Sequence, residues 1–256
     1  MKNFINYQGS KAGIIGFIIS GIKEYTYDGD VILDIFAGSS AVSSALNSEY
    51  IVYANDVEPY AASINSAILC PPLLTNSLIN EIEKEIYQNK KELIGQENLK
   101  EIISNEKKNI KEQDLKKIIE LYKNHKTVWN SKEISPKSLR KENLYNLFIR
   151  YYGGTYFGIE QAVEIDSIIK CIHKYDDQKE MLFSCLFYAI KETVFSRDGH
   201  MAQPLNFTKN SKRGYETRKK SVIKLFLKMC NVCINEGSNI QRFIIIILYI
   251  IKTLKN

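Results

Sequence analysis

No stretch of this 256-residue sequence stays apolar for more than nine positions in a row. The longest, Phe243 to Ile251, is too short to cross a bilayer as a helix, which takes roughly 20 residues. The segment after Met1 is polar rather than leader-like, so a cytoplasmic chain with no membrane partner is expected. Cysteine is sparse. The five present are odd in number and widely scattered, which suits free thiols in a reducing compartment rather than a disulfide framework. Cys230 and Cys233 form a lone C-x-x-C, but a structural zinc needs four ligands and there is no second pair. His125, His173 and His200 show no ligand spacing either, so no metal is expected and the two thiols read as buried. The dinucleotide fingerprint G-x-G-x-x-G is absent as well.

The remaining composition is that of an ordinary globular chain: 45% hydrophobic, 25% charged and long enough for one large domain or two small ones. A net charge of +6 is compatible with a nucleic-acid partner but does not specify one.

The most informative stretch is Val31-Ile32-Leu33-Asp34-Ile35-Phe36-Ala37-Gly38-Ser39-Ser40. Its first five residues are apolar except for Asp34, and they end in a small-residue turn. That pattern reads as a buried parallel strand. Helical material, Ala41 to Leu46, comes next, then a second apolar run, Tyr50 to Ala54, ending in Asn55-Asp56. Asp34 and Asp56 are 22 positions apart, close to the step of about 20 between a nucleotide-fold turn and its ribose-binding acid. Small residues let a ligand approach the backbone, the following helix start adds positive potential, and an acid ending the next strand lies within reach of a ribose diol. Upstream, Asn6-Tyr7-Gln8-Gly9-Ser10-Lys11 forms a polar loop before an amphipathic segment, Ile14 to Ile22. Tyr7 offers a stacking face there, and Lys11 a charge for a carboxylate.

From Asn76 to Lys126 lysine, glutamate and asparagine dominate. Apolar residues at helical spacing (Leu78, Ile82, Ile86, then Leu115, Ile118, Ile119, Tyr122) predict two or three amphipathic helices with solvated outer faces. Cys70-Pro71-Pro72-Leu73 reads as the linker before them. Further helices are expected over 139–152, 160–173 and 178–195, with a loop at 197–200. Tyr151, Tyr152 and Tyr156 could stack on bases, although core packing suits most of them better. A basic cluster follows: Lys209, Lys212, Arg213, Arg218, Lys219, Lys220 and Lys224, with Glu216 its single acid. Converging cations of this kind supply affinity for DNA phosphates.

In their order, Asn6-Tyr7-Gln8-Gly9-Ser10-Lys11, then Asp34-Ile35-Phe36-Ala37-Gly38-Ser39-Ser40, then Ala54-Asn55-Asp56 resemble the D12-class (Dam-like) DNA adenine-N6 methyltransferases. Tyr151 to Ala162, with Ala202-Gln203-Pro204, is similar to restriction-modification members of that family. The resemblance implies a methyl transfer from S-adenosylmethionine to adenine N6 in duplex DNA. It implies an α/β fold, a Rossmann-like methyltransferase sheet interrupted by a mostly helical recognition domain. Residues 1–75 would form the cofactor part, 76–228 the recognition domain and 229–256 the return to the catalytic domain. Tyr7 and Lys11 would lie at the cofactor's methionine end, Asp34, Phe36 and Gly38 would shape the turn, and Asp56 would accept from the ribose. Ser40 stands where the family usually has glycine. A cognate restriction endonuclease is an implied partner.

The family's catalytic sequence, Asp-Pro-Pro-Tyr, occurs at none of the prolines (59, 71, 72, 136, 204). The tail from Arg242 onward reads either as a buried element of an altered enzyme or as an out-of-frame continuation of an AT-rich gene, and the second is favoured. The expectation is a partial sheet, an exposed sheet edge prone to association, and a second chain that supplies the missing catalytic half. Two other readings remain at this point. One is a fragment that binds cofactor and DNA without turnover; the other is a nicotinamide-binding protein, which the turn sequence disfavours.

Overall fold

A computed structural model of the chain describes residues 4–5, 9, 11–130, 145–197, 199, 201 and 203–237. Tyr7, Asp198, His200 and Ala202 lie outside the described residues, as do both readings of the tail from Arg242.

The N-terminal part is a small α/β unit. A 3-10 turn, Lys11–Ile14, leads into α1 (Ile15–Lys23). β1 (Val31–Asp34) is followed by α2 (Ala41–Leu46), β2 (Ile51–Ala54) and α3 (Pro59–Leu69), which carries Pro59 in its first turn, where a missing N–H costs nothing. The strands pair in parallel with Ile32 opposite Val52 and Asp34 opposite Ala54. Ile32, Val52 and Ala54 therefore share a face, and they pack with Leu46 and Leu69 under Ile19 and Ile22 of α1.

The expectation of a buried β1 needs correcting. Val31 is 61% and Leu33 57% exposed, and Ile35 continues that face at 51%. Parallel sheets are normally covered on both sides. Among the described residues, helices cover one face and β1 has β2 as its single neighbour. Full burial of each of those side chains would contribute roughly 1.5–3 kcal/mol.

The rest of the described chain is helical: α4 (Asn76–Gln96), α5 (Lys100–Glu112), α6 (Leu115–Asn130), α7 (Leu147–Tyr151), α8 (Ile159–Ile172), α9 (Lys179–Thr193), α10 (Ser211–Arg218) and α11 (Val222–Gly237). Thr75 caps α4 by accepting from the Leu78 N–H, and Ile79, Ile82, Ile86 and Leu93 line its inner face at helical spacing. The anticipated boundary at 228/229 falls inside α11, which runs unbroken and contributes Met229, Cys230 and Cys233 to the helical core. Cys230 and Cys233 are buried, with Cys233 Sγ 3.8 Å from Cys185 Sγ. No helix among the described residues is long and apolar enough to cross a membrane.

α8 is the axis of this body, buried on nearly all sides, and yet it carries acids. Asp166 accepts from the Phe148 and Ile149 N–H groups at the start of α7. Glu164 accepts from Val222 and Ile223 N–H at the start of α11 and from Lys90. At α8's own start, Glu106 of α5 accepts from Ile159 and Glu160 N–H. Each acid thus meets backbone donors that helix geometry leaves unpaired, and the helix dipole favours its charge. Gly158 leaves room at this junction: a Cβ there would lie 2.9 Å from Glu106 Oε1, so a side chain would push the carboxylate aside.

Burial pushes the Asp166 carboxyl up to about 7, against the two backbone N–H bonds that favour its ionised form. A carboxyl with a higher pKa in the folded than in the unfolded chain holds its proton more tightly when folded. Its stabilising contribution is therefore fully present at or below its ordinary 3.8 and is lost as pH rises to about 7. Urea denaturation at stepped pH is expected to show stability falling through that window in the native chain, with a shallower fall in Asp166→Asn.

Candidate functional site

The strand ends and the turn between β1 and α2 form one hydrogen-bonded unit. Asn55 N–H donates to Asp34 O at 2.8 Å, and Ala37 N–H donates to Asn55 O at 3.0 Å. Ser40 N–H closes the turn onto Ala37 O at 2.9 Å. Gly38 has φ +51, whereas Ser39 is not among the positive-φ residues. Those signs match a type II′ turn, which demands glycine at its first central position.

Asp56 meets this turn directly. Its Oδ2 accepts from Gly38 N–H at 2.8 Å and its Oδ1 from Glu58 N–H at 3.0 Å. A carboxylate has about four acceptor positions, so capacity remains on both oxygens. Asp34 reaches the turn–helix unit at a different point: its Oδ2 accepts from Ser43 Oγ of α2 at 2.6 Å, on the helix-covered face of the sheet. Phe36 stands 81% exposed at the lip of the turn. Lys11 opens the 3-10 turn, whose residues pack against α2, and its exposed Nζ lies 3.3 Å from Gly9 O. Of the six residues expected at a cofactor, Asp34, Phe36, Gly38 and Asp56 fall in this unit, Lys11 lies in the 3-10 turn beside α2, and Tyr7 is outside the described residues.

Ser40 sits at φ +66 with no exposed surface, and its hydroxyl has no partner among the described residues. Left-handed backbone disfavours a side chain, which is a physical reason for glycine at this place.

Asn65 of α3 escaped the sequence reading. It is 1% exposed and donates from Nδ2 to Gly38 O at 3.2 Å and to Ala61 O at 2.8 Å. Its signal was available: a polar residue between Ile64 and Ala67 on an otherwise apolar face marks a buried hydrogen bond.

The basic cluster is thinner than its sequence suggests. Arg218, expected to meet DNA, is 6% exposed and belongs to the interior. Its guanidinium donates to Thr155 O, Tyr156 O and the Tyr122 hydroxyl, and it stacks near the Tyr122 and Phe195 rings. Tyr122 and the Arg218 charge both favour the ionised form of buried Glu106, although burial still raises its pKa, so Arg218 helps balance a buried acid. Lys219 pairs with Glu216 at 2.7 Å, Lys220 Nζ donates to Glu192 O at the end of α9, and Arg213 donates to Ser196 O. Lys209 and Lys212 are exposed. Among the tyrosines, Tyr152 packs edge-on against Tyr156 at 5.8 Å between ring centres, while Tyr151 is 42% exposed. His125 is buried with Nε2 3.2 Å from Ile149 O, and burial lowers its pKa.

A family model described as D12 class N6 adenine-specific DNA methyltransferase matches residues 7–203, a span that contains the turn and both acids. No curated protein and no solved structure matches the chain.

This geometry sets the stability of three variants. Ser40→Gly is expected to raise the free energy of unfolding by about 1 kcal/mol, because it removes both a left-handed side chain and a buried unpaired hydroxyl. Arg218→Ala should cost about 3 kcal/mol by leaving the Thr155 and Tyr156 carbonyls and the Tyr122 hydroxyl without their buried donor, whereas Lys212→Ala should change stability by less than about 0.5 kcal/mol. Chemical denaturation monitored by circular dichroism reads all three.

Proposed function

Because the chain belongs to the D12 class of N6 adenine-specific DNA methyltransferases, a family of transferase enzymes acting on DNA, we propose that it transfers a methyl group from S-adenosylmethionine to adenine N6 in a specific duplex site, as the modification arm of a restriction-modification system in the cytoplasm. The observation that carries the donor's identity is the Gly38 turn gripped by Asp56, at the point where two parallel strands end beside a helix start.

The residues present fit such a nucleoside. Asp56 retains acceptor capacity for two ribose hydroxyls, Phe36 offers an apolar surface beside them, and Ser39 N–H has no acceptor among the described residues. Lys11 supplies a cation for the amino-acid carboxylate. When bound, S-adenosylmethionine supplies an electrophilic methyl on a positively charged sulfur. The protein's own tasks are to bind and orient that donor, to hold DNA through exposed cations at Lys209, Lys212, Arg213, Lys219 and Lys220, and to accept a flipped adenine. Residues 1–75 would carry the first task and the helical body from 76 onward the second.

A second reading has two specific observations behind it. The sequence contains no Asp-Pro-Pro-Tyr, and β1's outer face carries Val31, Leu33 and Ile35 in the open. On that reading the chain binds donor and DNA, and a second chain supplies the acid and the aromatic that hold adenine N6.

Incubation of the purified chain with methyl-labelled S-adenosylmethionine and duplex DNA, followed by nucleoside mass spectrometry, distinguishes the two. N6-methyladenine is the expected product, whereas DNA and donor binding without product supports the second reading. Asp56→Asn should weaken donor binding at least about tenfold through loss of a charged acceptor, measured by calorimetry.

A further inference from the structure

Gly38 is held at both ends. Its N–H donates to Asp56 from one side, and its carbonyl accepts from Asn65, a residue 1% exposed in α3. The second contact acts on the central peptide of the turn, between Gly38 and Ser39. Types II′ and I′ differ by a half-turn of that peptide, so whatever fixes the Gly38 carbonyl selects the turn type. Across a trans peptide, carbonyl and N–H point in opposite directions. With Gly38 O drawn toward buried Asn65, Ser39 N–H is turned away from the interior, and it has no acceptor among the described residues. The flipped alternative would also force Ser39 to positive φ, which a serine disfavours.

We propose that Asn65 is a positioning residue for the methyl-donor site: by holding the Gly38 carbonyl it presents Ser39 N–H to an acceptor atom of the bound donor. The inference rests on the reading of this turn as the S-adenosylmethionine site. Asn65 is suited to the role because Nδ2 is anchored a second time, to Ala61 O of its own helix at 2.8 Å. α3 also packs on α9 and places Ile64 and Ala67 in the helical core, so the clamp reaches the turn from the helical body. A merely structural asparagine would hold α3 in place, and its loss would appear as instability alone. A positioning asparagine controls the direction of one N–H.

The test uses the full chain and S-adenosylmethionine as the probe. Asn65→Leu keeps the buried volume and removes the donor; affinity is expected to fall about tenfold, the loss of one well-made hydrogen bond, with the melting temperature close to native. Asn65→Asp keeps the shape but presents an acceptor to Gly38 O. Its affinity should be weak at neutral pH and recover as pH falls, because a protonated carboxyl donates, with no such recovery in Asn65→Leu. In the native chain the Ser39 amide resonance should shift on addition of donor, and that shift should be lost in both variants at neutral pH. Equal affinity in native and well-folded Asn65→Leu overturns the proposal. So does a Ser39 amide that fails to respond in a native chain that binds donor, a readout that stands even if the variants do not fold. If the native chain binds no S-adenosylmethionine at all, the reading of the site fails, not this role for Asn65 alone.

Discussion

Buried carboxylates at helix starts are the constraint on which the helical body depends. An ionised acid taken out of water without partners is too costly to keep, and unpaired N–H groups at a buried helix start are costly too. Each problem offsets the other here. Glu106 closes the start of α8, and α8 in turn sends Asp166 to α7 and Glu164 to α11. The three junctions fix the relative places of four helices with directional bonds, where apolar packing alone would tolerate sliding. Arg218 and Lys90 sit at this network as its cations. For Lys90, burial disfavours the charge, yet Glu164 and Glu160 together hold its ammonium above the ordinary range.

That body reaches the smaller α/β unit through α3. One side of α3 packs with α9 in the helical core, and Leu69 joins the core under the strands. Asn65 lies on the same helix and bonds the Gly38 carbonyl. A continuous path of packed helix therefore leads from the network of buried acids to the turn that would meet the methyl donor.

The strand–turn–strand was legible because its signals are local. Apolar runs, Gly38 and the Asp34–Asp56 spacing all lie within about 25 residues, where pattern and chemistry coincide. The amphipathic helices from Asn76 onward were legible for the same reason. The capping acids were not: Glu106, Glu164 and Asp166 look like ordinary solvated charges on helices, and only partners tens of residues away reveal them as buried. Arg218 misled because a run of cations reads as a surface, whereas its neighbours Gly214, Tyr215 and Thr217 are themselves buried. The open face of β1 was equally illegible, since Val31 to Ile35 reads as a strand made for burial.

The Gly38 turn and Asp56 are expected to grip a sulfonium nucleoside rather than a nicotinamide dinucleotide. Calorimetric titration of the full chain with S-adenosylmethionine, repeated with S-adenosylhomocysteine and with NADH, decides this most directly. A single saturable site is expected for the first two ligands, each competing with the other, and no heat of binding with NADH. A flat titration with S-adenosylmethionine, or saturation by NADH at the same site, would contradict a methyl-donor site at this turn.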